Sequence, residues 1–134
     1  MSEASVIADL LHSAHTIAVV GLSNKVWRPS YGVSEYMQRA GYRIIPVNPE
    51  LREALGERCY PDVESVPERI DIVNIFRRSE LVPEIVDAAI RVGAKAVWMQ
   101  EGVVNEEAAA RARAAGLVVV MDRCLLKEHR KLVD

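Results

Sequence analysis

The chain has 134 residues, 50% hydrophobic and 27% charged, enough for one domain with its own core; that composition excludes a disordered chain. Its 17 basic and 19 acidic residues leave a formal net charge of -2, which excludes a protein that coats nucleic acid, so any anion site is local. The longest apolar runs, such as 116–121, fall far short of the ~20 residues that cross a bilayer, and the N-terminus, with Glu3 and Asp9, carries no secretory signal. The expected setting is therefore cytoplasmic, with no membrane and no nucleic acid as partner. Cys59 and Cys124 lack metal-site spacing and read as reduced thiols.

Ser2 is placed to cap a first amphipathic helix over 3–14, with Val6, Leu10, Leu11 and Ala14 on one face. The β-branched run Thr16-Ile-Ala-Val-Val20 then stops at Gly21, and such a run reads as a strand buried on both faces, the habit of parallel sheets. A polar loop over 22–30 leads to a helix over 31–40, closed by Gly41. Residues 42–47 form a second strand, halted by Asn48-Pro49, and residues 50–69 are read as turns with one helical turn. The third strand is 71–76, followed by a helix over 79–92 with Ser79 as its N-cap and Gly93 at its end. A fourth strand spans 96–99. Asn105 caps an alanine-rich helix over 106–115 whose acids precede its arginines, as the helix dipole favours. A fifth strand over 117–121 and a terminal helix over 125–132 complete the chain. Strands alternating with helices predict a single α/β domain over 1–134, a three-layer, Rossmann-like, doubly wound parallel sheet of about five strands.

Open α/β sheets bind ligands at the carboxyl ends of their strands, so the residues after each strand carry the chemistry. Gly21 permits a sharp turn after the first strand, Ser23 and Ser30 supply hydroxyls, and Lys25 and Arg28 supply charge. No acid occurs between Asp9 and Glu35, so this loop is cationic in a slightly acidic protein. The Gly-x-Gly-x-x-Gly fingerprint is missing, the second strand ends in Asn48 rather than an acid, and no P-loop is present. A nicotinamide cofactor or a hydrolysed nucleotide is thereby disfavoured. After the third strand, Arg77 and Arg78 precede a helix start, a second anion site unless they pair with acids such as Glu80. Trp98 reads as core, while Gln100 and Gly102 point toward the site mouth. Cys124 stands at a helix start beside Arg123. No Ser-His-Asp set, carboxylate pair or metal cluster is evident, and no catalytic or metal residue is assigned.

Val20-Gly-Leu-Ser23, Arg28-Pro-Ser-Tyr31, Gly41-Tyr-Arg-Ile-Ile-Pro-Val-Asn-Pro49, Val73-Asn-Ile-Phe-Arg-Arg78, Trp98-Met-Gln-Glu-Gly102 and Met121-Asp-Arg-Cys124 together resemble the small CoA-binding protein family. That family is similar to the CoA-binding Rossmann-like domain at the N-terminus of the succinyl-CoA synthetase α subunit. The likeness runs from about residue 12 to 132, with one departure, Leu125, where the pattern has proline. It implies a domain that binds coenzyme A, or acyl-CoA, across its strand ends. Carried over, Gly21, Ser23, Lys25, Arg28 and Pro29 hold the pyrophosphate region, and Asn48 and Pro49 lie near the adenosine. Phe76, Arg77 and Arg78 meet phosphate or the pantetheine arm, Gln100, Glu101 and Gly102 line the groove, and Cys124 is a thiol contact if the arm reaches the fifth strand. The synthetase's second, histidine-bearing domain has no counterpart in 134 residues. A non-catalytic binding module is therefore expected, with a homo-oligomer or a protein partner left open. The alternatives are a CoA-linked or nicotinamide-dependent enzyme, and an interaction subunit with a vestigial nucleotide pocket.

Overall fold

The computed structural model describes residues 2–133. In chain order the elements are α1 (Glu3–Ser13), β1 (Thr16–Val20), α2 (Pro29–Arg39), β2 (Arg43–Val47), β3 (Glu53–Ala54) and β4 (Glu57–Arg58). They continue with β5 (Ile72–Ile75), α3 (Val82–Val92), β6 (Ala96–Met99), α4 (Glu106–Ala114), β7 (Val118–Val120) and α5 (Leu125–Leu132). Five strands pair in parallel in the order β2-β1-β5-β6-β7, with Ile17 beside both Ile44 and Ile72. The chain leaves β1 outward to β2, then crosses back to β5 on the other side of β1. The carboxyl ends of β1 and β5 therefore flank the switch point at which this fold opens a crevice.

The strands are mostly apolar because both faces of the sheet are covered, with Asn74 of β5 a fully buried polar exception. Ile17, Val19, Ile44, Ile72 and Trp98 pack with Leu10 and Leu11 of α1, Val33 and Met37 of α2 and Leu125 of α5. Ala18, Val20, Ile45, Val73, Ile75 and Met99 pack with Val82 and Val86 of α3, Ala108 and Ala112 of α4 and Val63. Trp98 is fully enclosed, and its indole N–H donates to the Arg123 carbonyl at 2.8 Å, which satisfies its one polar atom. Truncating such a side chain costs roughly 3–5 kcal/mol.

A polar network closes the amino end of the sheet. The buried Asp71 carboxylate accepts from the backbone N–H groups of His15 (2.8 Å) and Thr16 (3.0 Å) and lies 3.4 Å from Lys95. Arg43 bridges Glu57 at 2.5 Å and Glu68 at 2.7 Å.

The expected single α/β domain with a five-stranded parallel sheet is the observed one. Local details differ. Residues 50–69 contain the expected helical turn at Val63–Ser65, with Asp62 accepting from the Ser65 N–H at 2.8 Å, but also the β3–β4 hairpin. Its corner residues, Leu55 and Gly56, have φ of 53° and 74°, the paired positive values of a tight hairpin turn. Gly56 marks a turn in the sequence, but leucine is rare in that conformation, so the hairpin type and its two short strands were not expected. Ser79 does not cap α3: a 3-10 turn over Ser79–Leu81 precedes the helix, and the Ser79 hydroxyl accepts from the Val104 N–H at 3.0 Å. Helix α2 starts at Pro29, two residues earlier than expected, because proline is favoured at a first helical position where no N–H is needed.

Candidate functional site

Gly21 turns the chain out of β1 with φ +90°, and a Cβ there would overlap the carbonyl oxygen of Phe76. Glycine is required twice over, by conformation and by the close passage of the β5 exit. The same junction is pinned by Gly21 N–H to the Val47 carbonyl (2.9 Å) and Phe76 N–H to the Val20 carbonyl (2.9 Å). Three strand ends are thus locked together at one point.

The loop beyond Gly21 is folded on its own hydroxyls. The Ser23 N–H donates to Ser30 Oγ and the Lys25 N–H to Ser23 Oγ, both at 3.0 Å. Asn48 clamps the loop from the neighbouring strand: its Nδ2 donates to the Leu22 carbonyl at 3.0 Å while its Oδ1 accepts from the Glu50 N–H at 2.9 Å. Helix α2 begins here with no side-chain cap and no acid in its first turn, so the positive end of its dipole faces this loop uncompensated.

Two cavities open at these strand ends. One, of about 490 Å³, is lined by Gly21, Ser23, Lys25, Arg28, Pro29, Ser30, Asn48, Glu50 and Phe76. Hydroxyls, two cations and a helix N-terminus converge there, the donor set that holds a phosphate group. The other, of about 470 Å³, has apolar walls of Val20, Val47, Pro49, Pro61, Val63, Leu81, Ile85 and Ala88, with Arg77 among its lining. Its rim carboxylates are mostly engaged: Asp62 caps the Val63 turn, Glu64 pairs with Arg91 at 2.9 Å, and Asp87 pairs with Arg111 at 2.9 Å. The Arg91 guanidinium bonded to Glu64 holds that carboxyl below its ordinary value. Among the described residues, Lys25, Arg28, Arg77 and Arg78 form no ion pair; neither arginine of the pair binds Glu80.

The residues expected to form the site thus fall into three places. Gly21, Ser23, Lys25, Arg28, Pro29, Asn48 and Phe76 line the polar cavity, and Pro49 and Arg77 line the apolar one. Arg78, Gln100, Glu101, Gly102 and Cys124 line neither. Gln100 is buried and its Oε1 accepts the Leu125 N–H at 3.0 Å, a bond that the proline of the family pattern could not make. Glu101 pairs with Lys127 at 3.0 Å, the Gly102 N–H donates to Asp122 at 2.7 Å, and buried Cys124 stands at the start of α5. Arg123, beside that thiol, is drawn to Glu3 at 2.6 Å. This group latches the β6 and β7 exits to α5. The apolar slot of Val63, Leu81 and Ile85 escaped sequence reading, since each looks like ordinary core.

Residues 15–130 match the family described as CoA binding domain. The chain belongs to the CoA-binding domain family. Within it, the uncharacterized protein YneT of Bacillus subtilis (strain 168) is 44% identical over 123 residues, 92% of this chain and 91% of that protein. A hypothetical protein from Pyrococcus horikoshii OT3 superposes with a TM-score of 0.96 at 39% identity, covering 99% of this chain and 94% of that one. The same domain is similar to a small part of larger enzymes. The ADP-forming acetate–CoA ligase II of Archaeoglobus fulgidus is 28% identical over 94 residues, which are 69% of this chain but 14% of the ligase. The dinucleotide-forming acetyl-coenzyme A synthetase 1 of Ca. Korarchaeum cryptofilum, in its apo form, matches with a TM-score of 0.71 at 26% identity, over 80% of this chain and 26% of that one.

Proposed function

We propose that this CoA-binding domain binds coenzyme A or an acyl-CoA at the carboxyl ends of β1, β2 and β5, and acts as a binding module rather than a catalyst. One observation carries the reading: a cationic cavity and an apolar cavity adjoin across the Gly21 junction. A phosphate-rich ligand attached to a flat base fits that pair. The pyrophosphate goes to Ser23, Lys25, Arg28 and the N-terminus of α2, where charge-assisted donors are strongest. The adenine goes to the slot between Pro49, Val63 and Ile85, and Arg77, on the border of the two, takes a phosphate. Family membership and the likeness to parts of CoA ligases support the same ligand. The lining groups bind anions and bases; they do not place a nucleophile beside a base.

Calorimetric titration with CoA tests this, with ADP and NAD as competitors. Saturable CoA binding, weakened by the double substitution of Arg77 and Arg78 to alanine, is the expected result. No heat at millimolar CoA, or NAD displacing CoA at equal concentration, overturns it.

A further inference from the structure

The crown of the loop after β1 carries an unusual pair for a solvated turn. The Arg28 N–H donates to the Lys25 carbonyl at 3.0 Å, so Val26 and Trp27 are the two corner residues of a β-turn. They are 67% and 73% exposed. Exposed turn corners ordinarily carry Gly, Asn, Asp, Pro or Ser, which suit the backbone and the solvent. An indole left in water forgoes the 150–250 Å² of burial, roughly, that a tryptophan offers.

The turn is also braced. The Ser23–Lys25 and Ser30–Ser23 hydrogen bonds hold its near side, and its two feet, Lys25 and Arg28, both line the polar cavity, as does Phe76. The Lys25 ammonium lies 5.8 Å from the centre of the Trp27 ring, so cation and indole share one side of the turn. A braced apolar crown over a phosphate-binding cavity is a contact surface waiting for a ligand that is charged at one end and apolar beyond.

We propose that Trp27, with Val26, is a ligand contact that covers the pantetheine arm of the coenzyme whose phosphates Lys25 and Arg28 hold. This rests on the coenzyme reading above and adds a specificity residue to it. The arm is the occupant rather than the base, because the apolar base slot lies on the α3 side of the sheet while this turn leads into α2. ADP carries the adenine and the 5′-pyrophosphate, lacks the coenzyme's 3′-phosphate, and has nothing to place under the indole.

The chain has two tryptophans, and Trp98 is fully buried, so acrylamide quenching reads Trp27. Saturating CoA is expected to lower the quenching constant severalfold, and saturating ADP to leave it unchanged. The W27A variant is expected to bind CoA about fivefold to tenfold more weakly by calorimetry, with its ADP affinity within about twofold. The blue emission of Trp98 in that variant verifies an intact core. If CoA binds calorimetrically while both the quenching constant and the W27A affinity stay unchanged, the inference is wrong. Protection that rises with protein concentration in the absence of CoA also overturns it, and assigns the turn to contact between copies. Failure of CoA to bind the unaltered protein by either readout overturns the coenzyme reading itself, and this inference with it.

Discussion

At the amino end of the sheet, Asp71 accepts two backbone N–H groups and faces Lys95, while Arg43 holds two glutamates. At the carboxyl end of the same strands, Lys25, Arg28 and Arg77 form no ion pair among the described residues, and an uncapped helix points its dipole at them. The two ends share strands, hydrophobic layers and register; they differ in whether charge is compensated from within. Internal compensation stabilises the fold and leaves nothing for a ligand. Uncompensated cations repel one another modestly and are relieved when an anion arrives, so the cost borne by the free protein becomes part of the binding energy.

The largest effect is expected where both roles meet. Gly21→Ala forces an L-residue into φ +90° and drives a methyl group into the Phe76 carbonyl. A loss of about 2–4 kcal/mol in unfolding free energy follows, by denaturant titration, because strain and overlap act together. CoA binding should vanish even at temperatures where the variant remains folded. A variant as stable as the parent would show that the β5 exit yields easily and that the junction is not the pivot of the site.

Removing charge at the carboxyl end should separate binding from stability. The double variant Lys25→Ala, Arg28→Ala is expected to lose about 100-fold in CoA affinity, two charge-assisted contacts at roughly 1.5 kcal/mol each, with a thermal midpoint equal to or slightly above the parent's. The parent's affinity should also fall with added salt. Arg77→Ala should cost more than Arg78→Ala, because only Arg77 lines a cavity. Equal losses would place the ligand outside both cavities.

How much of this was readable beforehand follows from the range of the interactions. The strand Thr16–Val20 and the turn at Gly21 are local patterns: continuous β-branched residues, then a glycine. The cationic loop was legible because charge is a property of composition. Gln100 was not, since its side chain answers the N–H of Leu125, 25 positions away, and nothing near residue 100 says so. Asn48 was expected beside adenosine, and it does line the polar cavity, yet both ends of its amide are already committed to backbone groups. Val63 and Ile85 become a slot only when the 60–70 segment is laid against α3. Local chemistry was visible in the residues; the walls of the cavities are made by tertiary placement.

The amino end should respond in the opposite sense. Burial pushes the Asp71 carboxyl up, but the His15 and Thr16 N–H donors and Lys95 outweigh it, and the group lies below its ordinary value. A carboxyl depressed in the folded state contributes stability above the unfolded value, and that contribution is lost as pH falls through the folded one. Asp71→Asn is therefore expected to cost about 1–3 kcal/mol at neutral pH and to flatten the loss of stability below about pH 4. Its CoA affinity should match the parent's. A change in affinity would mean that the two ends of the sheet are coupled.

Arg43 should give the smallest effect, although it makes the more conspicuous cluster. Its guanidinium is raised above its ordinary value by the hydrogen bonds it donates to Glu68 and Glu57, a direction that leaves it charged at every working pH. The side chain is 42% exposed, and its partners are 33% and 39% exposed. Water therefore solvates all three charges in the unfolded and folded chains alike, and ordering three long side chains offsets much of the attraction. Arg43→Ala is expected to cost less than about 1 kcal/mol, with part of that recovered in high salt. Asp71, with fewer charged partners, should matter more because its carboxylate is itself nearly enclosed, 9% exposed, and accepts two backbone N–H groups at the start of β1. If Arg43→Ala proves the costlier of the two, charge number rather than enclosure sets the value of the network at this end.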